Sequence, residues 1–346
     1  MQDDQAGGKP GTSDTVDVAV VEDVWGAALA ELSKRRPVVH DSQAWSDREA
    51  LSALAGRARA LVVRNRAQVD RRLLESSPNL EVVGRAGVGL DNIDLVAADE
   101  LGVVVVAATG ANAASVAEHS LAMALALAKN LSVQDRRVRA GVWQRELGVE
   151  LTGKCWGVIG LGATGQATAK LAAAIGMEVL GYDPFIPKEA PAGSDRSGSP
   201  SLSTLSTAKR VPDLDELLGR ARVISVHLML SDQTRGLVDA DFIARMRNDA
   251  YLINVARGEL VDEDALADGL QAGQIAGAAL DVRNLEPPHH SRLDGLDNVV
   301  LSPHVAGLTV ESQHRVVEMV VRDVDAVLSG GEASNAVGRH TGSTRA

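Results

Sequence analysis

The 346-residue chain contains one cysteine, Cys155. A disulfide framework and a cysteine-rich zinc site are therefore excluded. Cys155 precedes an apolar strand and reads as a small core residue. Basic charge is also in short supply: 35 Lys and Arg stand against 46 Asp and Glu, a net charge of −11. There is no basic excess to displace counterions from nucleic acid or to hold the chain on an anionic membrane. Long apolar runs are missing too. The most apolar helical stretch, residues 121–128, is far short of a membrane span. The opening Met1-Gln2-Asp3-Asp4-Gln5 has neither the basic nor the apolar region of a secretory signal. The expectation is a cytoplasmic protein with no nucleic-acid partner, no membrane partner and no metal. An acidic protein that handles an anion must gather its arginines locally, so arginines inside motifs carry the most weight.

What is present is a soluble globular composition, 45% hydrophobic and 23% charged, at a length that suits two domains. β-rich runs at 16–21, 37–40, 60–63, 81–84 and 103–107 alternate with helical stretches such as 25–33 and 48–57. That alternation predicts βαβ units around a parallel sheet. A long apolar helix is predicted over 113–129. A second βα series follows, with strands at 155–159, 178–182, 223–227, 251–254, 276–280 and 299–301. The valines at 316, 317, 320, 324 and 327 fall at helical spacing within a final amphipathic helix, 310–328. Residues 184–211, rich in Pro, Ser, Thr and Gly, read as a surface loop with little fixed structure. Residues 1–14 and 331–346 are expected to lack fixed structure.

Gly160-Leu161-Gly162-Ala163-Thr164-Gly165 fits G-x-G-x-x-G. With 33 glycines the pattern alone is weak, and its context strengthens it. A strand enters the motif, a helix leaves it, and a second strand ends at Asp183. In that setting Gly160 permits the tight turn, Gly162 lets the backbone approach a pyrophosphate, and Gly165 lets helix and strand pack closely. Asp183 lies 18 residues beyond Gly165, where a carboxylate can accept from adenosine ribose hydroxyls and repel a 2′-phosphate. The expected cofactor is NAD rather than NADP.

Three later segments each follow a predicted parallel strand. They are Asn254-Val255-Ala256-Arg257-Gly258, Asp281-Val282-Arg283-Asn284-Leu285-Glu286-Pro287-Pro288 and Ser302-Pro303-His304-Val305-Ala306-Gly307. Carboxyl ends of parallel strands face the ligand crevice, so the three can converge. His289 and His290 are adjacent, point different ways and read as a solvated loop rather than a metal pair. His119, in the long apolar helix, reads as a packed, hydrogen-bonded residue. His227 ends a strand, where it can line the cofactor crevice or serve packing alone.

These segments, with Gly84-Arg85-Ala86-Gly87-Val88-Gly89-Leu90-Asp91-Asn92-Ile93-Asp94, resemble the D-isomer-specific 2-hydroxyacid dehydrogenases, the family of phosphoglycerate dehydrogenase. The resemblance covers about residues 18 to 328. It implies an α/β fold of two Rossmann-like lobes with parallel sheets, the NAD-binding lobe (113–306) inserted into a flavodoxin-like substrate lobe (15–112 plus 307–330). It implies Arg257, Glu286 and His304 as catalytic residues. Gly160, Gly162, Ala163, Thr164, Gly165, Asp183, His227, Ala256, Asp281 and Gly307 would meet the cofactor, with Asp281 receiving the nicotinamide carboxamide. Backbone N–H groups of Ala86, Gly87 and Val88 would cradle the substrate carboxylate beside Arg257. His304 would exchange a proton with the substrate oxygen while Glu286 orients it. Substrate would bind in a cleft that closes against water, in a homodimer formed near Trp143.

Arg283 departs from the aromatic residue that many relatives place there. Arg64 and Arg66 follow a strand of the first lobe, and relatives acting on phosphoglycerate place an arginine near Arg64. An anionic tail on the substrate, phosphate or sulfonate, is the expectation. A surface arginine with a neutral-tailed substrate, as in glyoxylate or hydroxypyruvate reduction, stays open. So does a dinucleotide-sensing corepressor role on the same fold.

Overall fold

The computed structural model describes residues 16–187 and 207–338. The segment expected to be loose at 1–14 lies outside them, as does most of 184–211. The chain forms two compact units, one running up to Ala111 and resuming at Gln313, the other spanning Asn112 to Ser312.

The first unit is built on β1 (Val16–Val20), β2 (Val38–His40), β3 (Ala58–Val63), β4 (Val82–Arg85) and β5 (Val104–Ala107). These runs are almost wholly β-branched or small and mostly buried, as strands covered on both faces must be. Their order is β5-β4-β3-β1-β2, all parallel. That is the flavodoxin-like order, with its switch point between β1 and β3. The helices α1 (Ala27–Ser33), α2 (Arg48–Arg57), α3 (Arg71–Glu75) and α4 (Leu95–Leu101) connect the strands. Aspartates start three of them: Asp47 accepts from Glu49 N, Asp70 from Leu73 N and Asp94 from Ala97 N, each at 2.9 Å.

In the second unit α5 (Ala113–Ala128) and α6 (Leu131–Arg139) precede β6 (Cys155–Ile159), α7 (Ala163–Ala174), β7 (Glu178–Tyr182) and β8 (Lys209–Arg210). Then come α8 (Leu214–Arg220), β9 (Val223–Val226), α9 (Ala240–Arg245), β10 (Tyr251–Asn254), α10 (Glu263–Gln271), β11 (Gly277–Leu280) and β12 (Val299–Leu301). The sheet order is β12-β11-β10-β9-β6-β7-β8, fully parallel. It is the dinucleotide-fold order with one added edge strand, and the order reverses between β6 and β9.

α11 (Val310–Leu328) returns the chain to the first unit. Val316, Val320 and Val324 are buried on one face of it. A Cβ on Gly84 would lie 2.7 Å from Val320 Cγ1, so glycine in β4 sets how closely this helix seats.

Both units confirm the predicted α/β class. Two local expectations need correction. Lys209–Arg210, inside the stretch read as a loop, pairs with β7, and Val211 is buried. The tail after Gly330 is not wholly loose. Ala336–Val337 (β13) pairs antiparallel with β5, while Asn335 donates twice to the buried Asp323, at 2.9 and 2.7 Å. Two-residue edge strands are too short to leave a periodic signal in sequence. Residues 339–346 lie outside the described part.

Candidate active site

β6 runs into the glycine loop at the point where the strand order of the second unit reverses. Gly160 has φ +96°, and a Cβ there would come 2.8 Å from the His227 carbonyl carbon. A Cβ on Gly165 would meet Gly160 O at 1.9 Å. Gly162 is different, with nothing within 4 Å of its would-be Cβ. It is also the N-cap of α7 and makes no side-chain cap, so the first-turn N–H groups of Ala163 and Thr164 receive none from it. Asp183 ends β7 as anticipated. It is buried, and its two oxygens accept from Leu161 N and Phe185 N, each at 2.9 Å. The carboxylate thereby braces the glycine loop.

His227 follows β9 on the other side of the switch point. Its Nε2 is 3.0 Å from Ser225 Oγ, which also receives Trp156 Nε1–H at 2.8 Å. Burial pushes the imidazole down to about 3, so it is uncharged. Its Nδ1 is buried and has no hydrogen-bond partner. Open space at Gly162, first-turn N–H groups and an unpartnered buried nitrogen together fit a dinucleotide lying across this switch point.

The next three strands deliver the other candidates. The buried Asn254 donates to Arg257 O at 2.8 Å and accepts from Ala256 N at 3.1 Å, which fixes the turn after β10. Arg257 is half-buried, and its Nη1 donates to Ala256 O at 2.8 Å. Gly258 lies flat against the loop after β11, since a Cβ there would be 2.0 Å from the Arg283 carbonyl carbon. In that loop Arg283 is buried and paired with Glu263 at 3.1 and 2.7 Å. Its own N–H donates to Glu286 Oε1 at 3.1 Å. Arg283 thus anchors the loop that holds Glu286.

Glu286 Oε2 lies 2.6 Å from His304 Nδ1. The bond from Glu286 outweighs burial and holds His304 above its ordinary 6.5; the charge of Arg257 pulls the other way and that of Asp281 adds. Burial works to raise Glu286, but the bonds from His304 and the Arg283 N–H outweigh it and keep the carboxyl below its usual range. His304 has φ 55°, a region that side chains other than glycine seldom occupy. The Asp281 backbone and carboxylate enforce it. Asp281 O accepts from His304 N at 2.7 Å, Oδ1 from Ser302 Oγ and Val305 N at 2.5 and 2.9 Å, and Oδ2 from Ala306 N at 2.8 Å. A pocket of about 480 Å³ opens beside these groups, lined by Asp281, Glu286, Ser302 and His304 among others. Gly307 has no room for a side chain, because a Cβ would lie 2.6 Å from Asn112 Nδ2.

The structure therefore brings together Arg257, Glu286, His304 and Asp281, and separately Gly160, Gly162, Ala163, Thr164, Gly165, Asp183 and His227. At Asp281 the carboxylate is already occupied in holding the turn after β12.

The first unit carries its own constellation at the carboxyl end of its sheet. Arg64 Nη1 donates to Asp23 O at 3.1 Å and Nη2 to Gln313 Oε1 at 2.8 Å. Both acceptors are neutral, and among the described residues no carboxylate pairs with this guanidinium. Arg66 is exposed and stacks over Trp45, 4.8 Å from the ring centroid. Ala86 N donates to Val63 O at 2.7 Å and Gly87 N to Arg85 O at 2.8 Å, so these two members of the expected cradle already have acceptors; Val88 is the third. A residue missed from sequence is Glu22. It sits at the β1/β3 switch point, buried, and its carboxylate accepts from Arg64 N at 2.7 Å, Arg66 N at 3.1 Å and Ala67 N at 3.0 Å. The available signal was an acid directly after a buried strand.

Residues 121–306 match the family profile described as D-isomer specific 2-hydroxyacid dehydrogenase, NAD binding domain. The chain is 41% identical over 293 residues to a D-3-phosphoglycerate dehydrogenase of Archaeoglobus fulgidus, covering 84% of this chain and 53% of that one. It thus spans about half the length of that relative. An (S)-sulfolactate dehydrogenase of Chromohalobacter salexigens is 39% identical over 315 residues, 90% of this chain and 98% of that one. Among solved structures, a glyoxylate reductase from Paecilomyes thermophila superposes with a TM-score of 0.81 at 26% identity, covering 93% of this chain and 98% of that one.

Proposed function

The chain belongs to the D-isomer specific 2-hydroxyacid dehydrogenases, and on that premise we propose that it is an NAD-dependent oxidoreductase interconverting a small D-2-hydroxy acid with an anionic tail and the matching 2-keto acid. The observation that carries this reading is the His304–Glu286 pair at 2.6 Å, set beside Arg257.

Bound nicotinamide would supply or accept the hydride at C2. The cofactor would be held by the backbone around Gly162, Ala163 and Thr164, with Ala256 and Gly307 lining its far end. Asp183, directly after β7, would meet ribose hydroxyls. A buried carboxylate there disfavours a 2′-phosphate, which is the reason to expect NAD.

His304 presents Nε2 to substrate because Nδ1 is engaged by Glu286. Raised above its ordinary value, the imidazole is protonated further up the pH range, and Nε2–H donates to the carbonyl oxygen as negative charge grows on it. In oxidation the neutral ring accepts the hydroxyl proton, and Glu286 stabilises the imidazolium that forms. Arg257 holds the substrate carboxylate through its guanidinium.

The anionic tail is supported by Arg64, whose guanidinium is held in place by neutral oxygens and pairs with no carboxylate among the described residues. Phosphate and sulfonate fit equally. D-3-phosphoglycerate and (S)-sulfolactate share one arrangement at C2, since the sulfur-bearing carbon outranks the carboxyl group in the naming rules and reverses the letter.

The test is a panel of 3-phosphoglycerate, sulfolactate and glycerate with NAD, followed by nicotinamide absorbance, in the natural protein and in Arg64→Ala. Turnover of the two anionic-tailed acids that is lost in the variant supports the reading. Equal turnover of both proteins on those acids would sink the tail assignment. A preference for glyoxylate or hydroxypyruvate would favour the neutral-tail alternative.

A homodimer is part of the same proposal. Its support is the exposure of three large apolar residues close in sequence, Leu131, Trp143 and Leu147, the last 97% exposed in the single chain. Light scattering showing a monomer would remove it.

A further inference from the structure

The geometry assigns His119 and Ser302 as positioning residues that hold the turn carrying His304. This rests on the reading of His304 as the acid–base group. It is carried by a polar stripe on a helix with no local need for one. α5 is apolar and largely buried, yet Asn112, Ser115 and His119 fall at i, i+3 and i+7, along one face. Asn112 makes no side-chain cap to the helix it precedes. All three side chains turn instead to residues 302–309. The Asn112 amide abuts Gly307, Ser115 Oγ is 2.8 Å from Thr309 Oγ1, and His119 Nε2 is 3.0 Å from Ser302 Oγ.

Proton counting fixes the direction of the relay. Ser302 has one hydroxyl proton and gives it to Asp281 Oδ1 at 2.5 Å. It can then only accept from the ring, so His119 carries its hydrogen on Nε2. Asp281 is 1% exposed. Facing its carboxylate are the Ser302 hydroxyl, the N–H groups of Val305 and Ala306, and His119 Nε2 at 3.5 Å. No Lys or Arg pairs with it among the described residues. The carboxylate therefore grips the chain on both sides of His304. It is what keeps that residue at φ 55°, a conformation that persists only where the surroundings enforce it. Without His119 the Ser302 hydroxyl loses its donor and is free to rotate away from Asp281. The 302–306 turn can then relax, and Nε2 of His304 loses its aim.

An error of an ångström in a reacting group costs up to about a hundredfold in rate, so a partial loss of aim should cost about tenfold or more. The test compares His119→Ala, His119→Gln and Ser302→Ala in the full chain, with the acid that the natural protein turns over best. His119→Ala should lower kcat by about tenfold while KM and NAD affinity stay within about twofold. His119→Gln, which returns a donor near the ring Nε2 position, should recover most of that loss. The double variant His119→Ala/Ser302→Ala should be little worse than either single change, because both cut one relay. Amide exchange without cofactor should be faster at Val305 and Ala306 in His119→Ala than in the natural protein. Unchanged kcat in His119→Ala, additive losses in the double variant, or a loss carried by KM would each overturn the assignment. If His119→Ala fails to fold, Ser302→Ala decides through the same kinetics and exchange. If the natural protein turns over no 2-hydroxy acid, the reading of His304 fails, and unaltered exchange at Val305 and Ala306 would separately refute the hold on the turn.

Discussion

Replacing Glu286 with glutamine tests the acid–base pair with little change of shape. Glutamine is isosteric, and with its carbonyl oxygen toward His304 Nδ1–H the ring keeps its orientation, although its NH₂ then faces the Arg283 N–H that Oε1 accepts from in the natural protein. What is lost is the negative charge 2.6 Å from the ring nitrogen. Unit charges about 4 Å apart attract by about 1 kcal/mol in bulk water and about 4 kcal/mol at an effective dielectric of 20. The His304 and Glu286 side chains are 49% and 38% exposed, so solvent screens much of this. The working range is the lower end, about 1–2 kcal/mol, or a factor of about 5–30 in the ratio of charged to neutral ring.

The sign follows from the direction of the shifts. Glu286 raises His304 above 6.5, so the protonated acid needed for reduction survives to higher pH than in a free imidazole. Removing the charge moves the alkaline fall of kcat/KM for keto-acid reduction to lower pH. The acidic rise for hydroxy-acid oxidation moves the same way, because the base is freed of its proton sooner. Reduction at mildly alkaline pH should drop by about 5–30-fold, while oxidation at mildly acidic pH should fall less or even gain. The assay is the pH dependence of kcat/KM in both directions, read from nicotinamide absorbance. Limbs that coincide in the two proteins would refute the pairing as the source of the shift. So would a uniform loss at every pH, which would mean that Glu286 acts only by placement.

Arg257→Lys keeps the charge but loses the planar fork, so KM for the acid should rise by about tenfold or more with NAD affinity unchanged; equal KM values would remove Arg257 from the carboxylate site. The glycine loop gives a paired prediction. Gly165→Ala should destabilise the second unit, since its Cβ would sit 1.9 Å from Gly160 O, whereas Gly162→Ala, with nothing within 4 Å, should leave Tm nearly unchanged and weaken NAD binding by about tenfold or more. Calorimetry and NAD titration that rank the two variants the other way would contradict the loop reading.

The candidate strand ends were legible because each is a short chemical word placed directly after a buried parallel strand. β-branched runs such as Val223–Val226 announce the strand, and the fold then sends whatever follows toward the carboxyl edge. That logic picked out the three segments, and the resemblance to the 2-hydroxyacid dehydrogenases singled out Arg257, Glu286 and His304 within them. Glu22 obeys the same rule yet was passed over, because a single acid after a strand has no motif around it. Its partners are backbone N–H groups, which sequence does not display. The bond between His119 and Ser302 was hidden for another reason. The helical period placed His119 on a packed face, but it gives no information about which strand end that face meets. The edge strands β8 and β13 were lost because two residues cannot show a period, so only pairing reveals them.

Three buried carboxylates stand at strand ends and do one kind of work. Glu22 accepts from residues 64, 66 and 67, Asp183 from 161 and 185, and Asp281 from 305 and 306. Each accepts from backbone N–H groups of a neighbouring loop and so fixes that loop's path. Glu22 offers the cleanest test, because its loop carries Arg64 and Arg66. In Glu22→Gln one carboxylate oxygen becomes an NH₂. Oε1 can still accept from Arg64 and Ala67, but the Arg66 N–H, 3.1 Å from Oε2, would then face a second donor and keep only its longer contact to Oε1 at 3.3 Å. Weakening that bond and opposing two donors costs about 1–2 kcal/mol, enough to shift the loop. If Arg64 meets the substrate tail, KM for an anionic-tailed acid should rise by about 5–30-fold, while glyoxylate, which has no tail, should be turned over as before. A parallel loss on both kinds of substrate would mean that the carboxylate supports the first unit as a whole rather than the aim of its arginines.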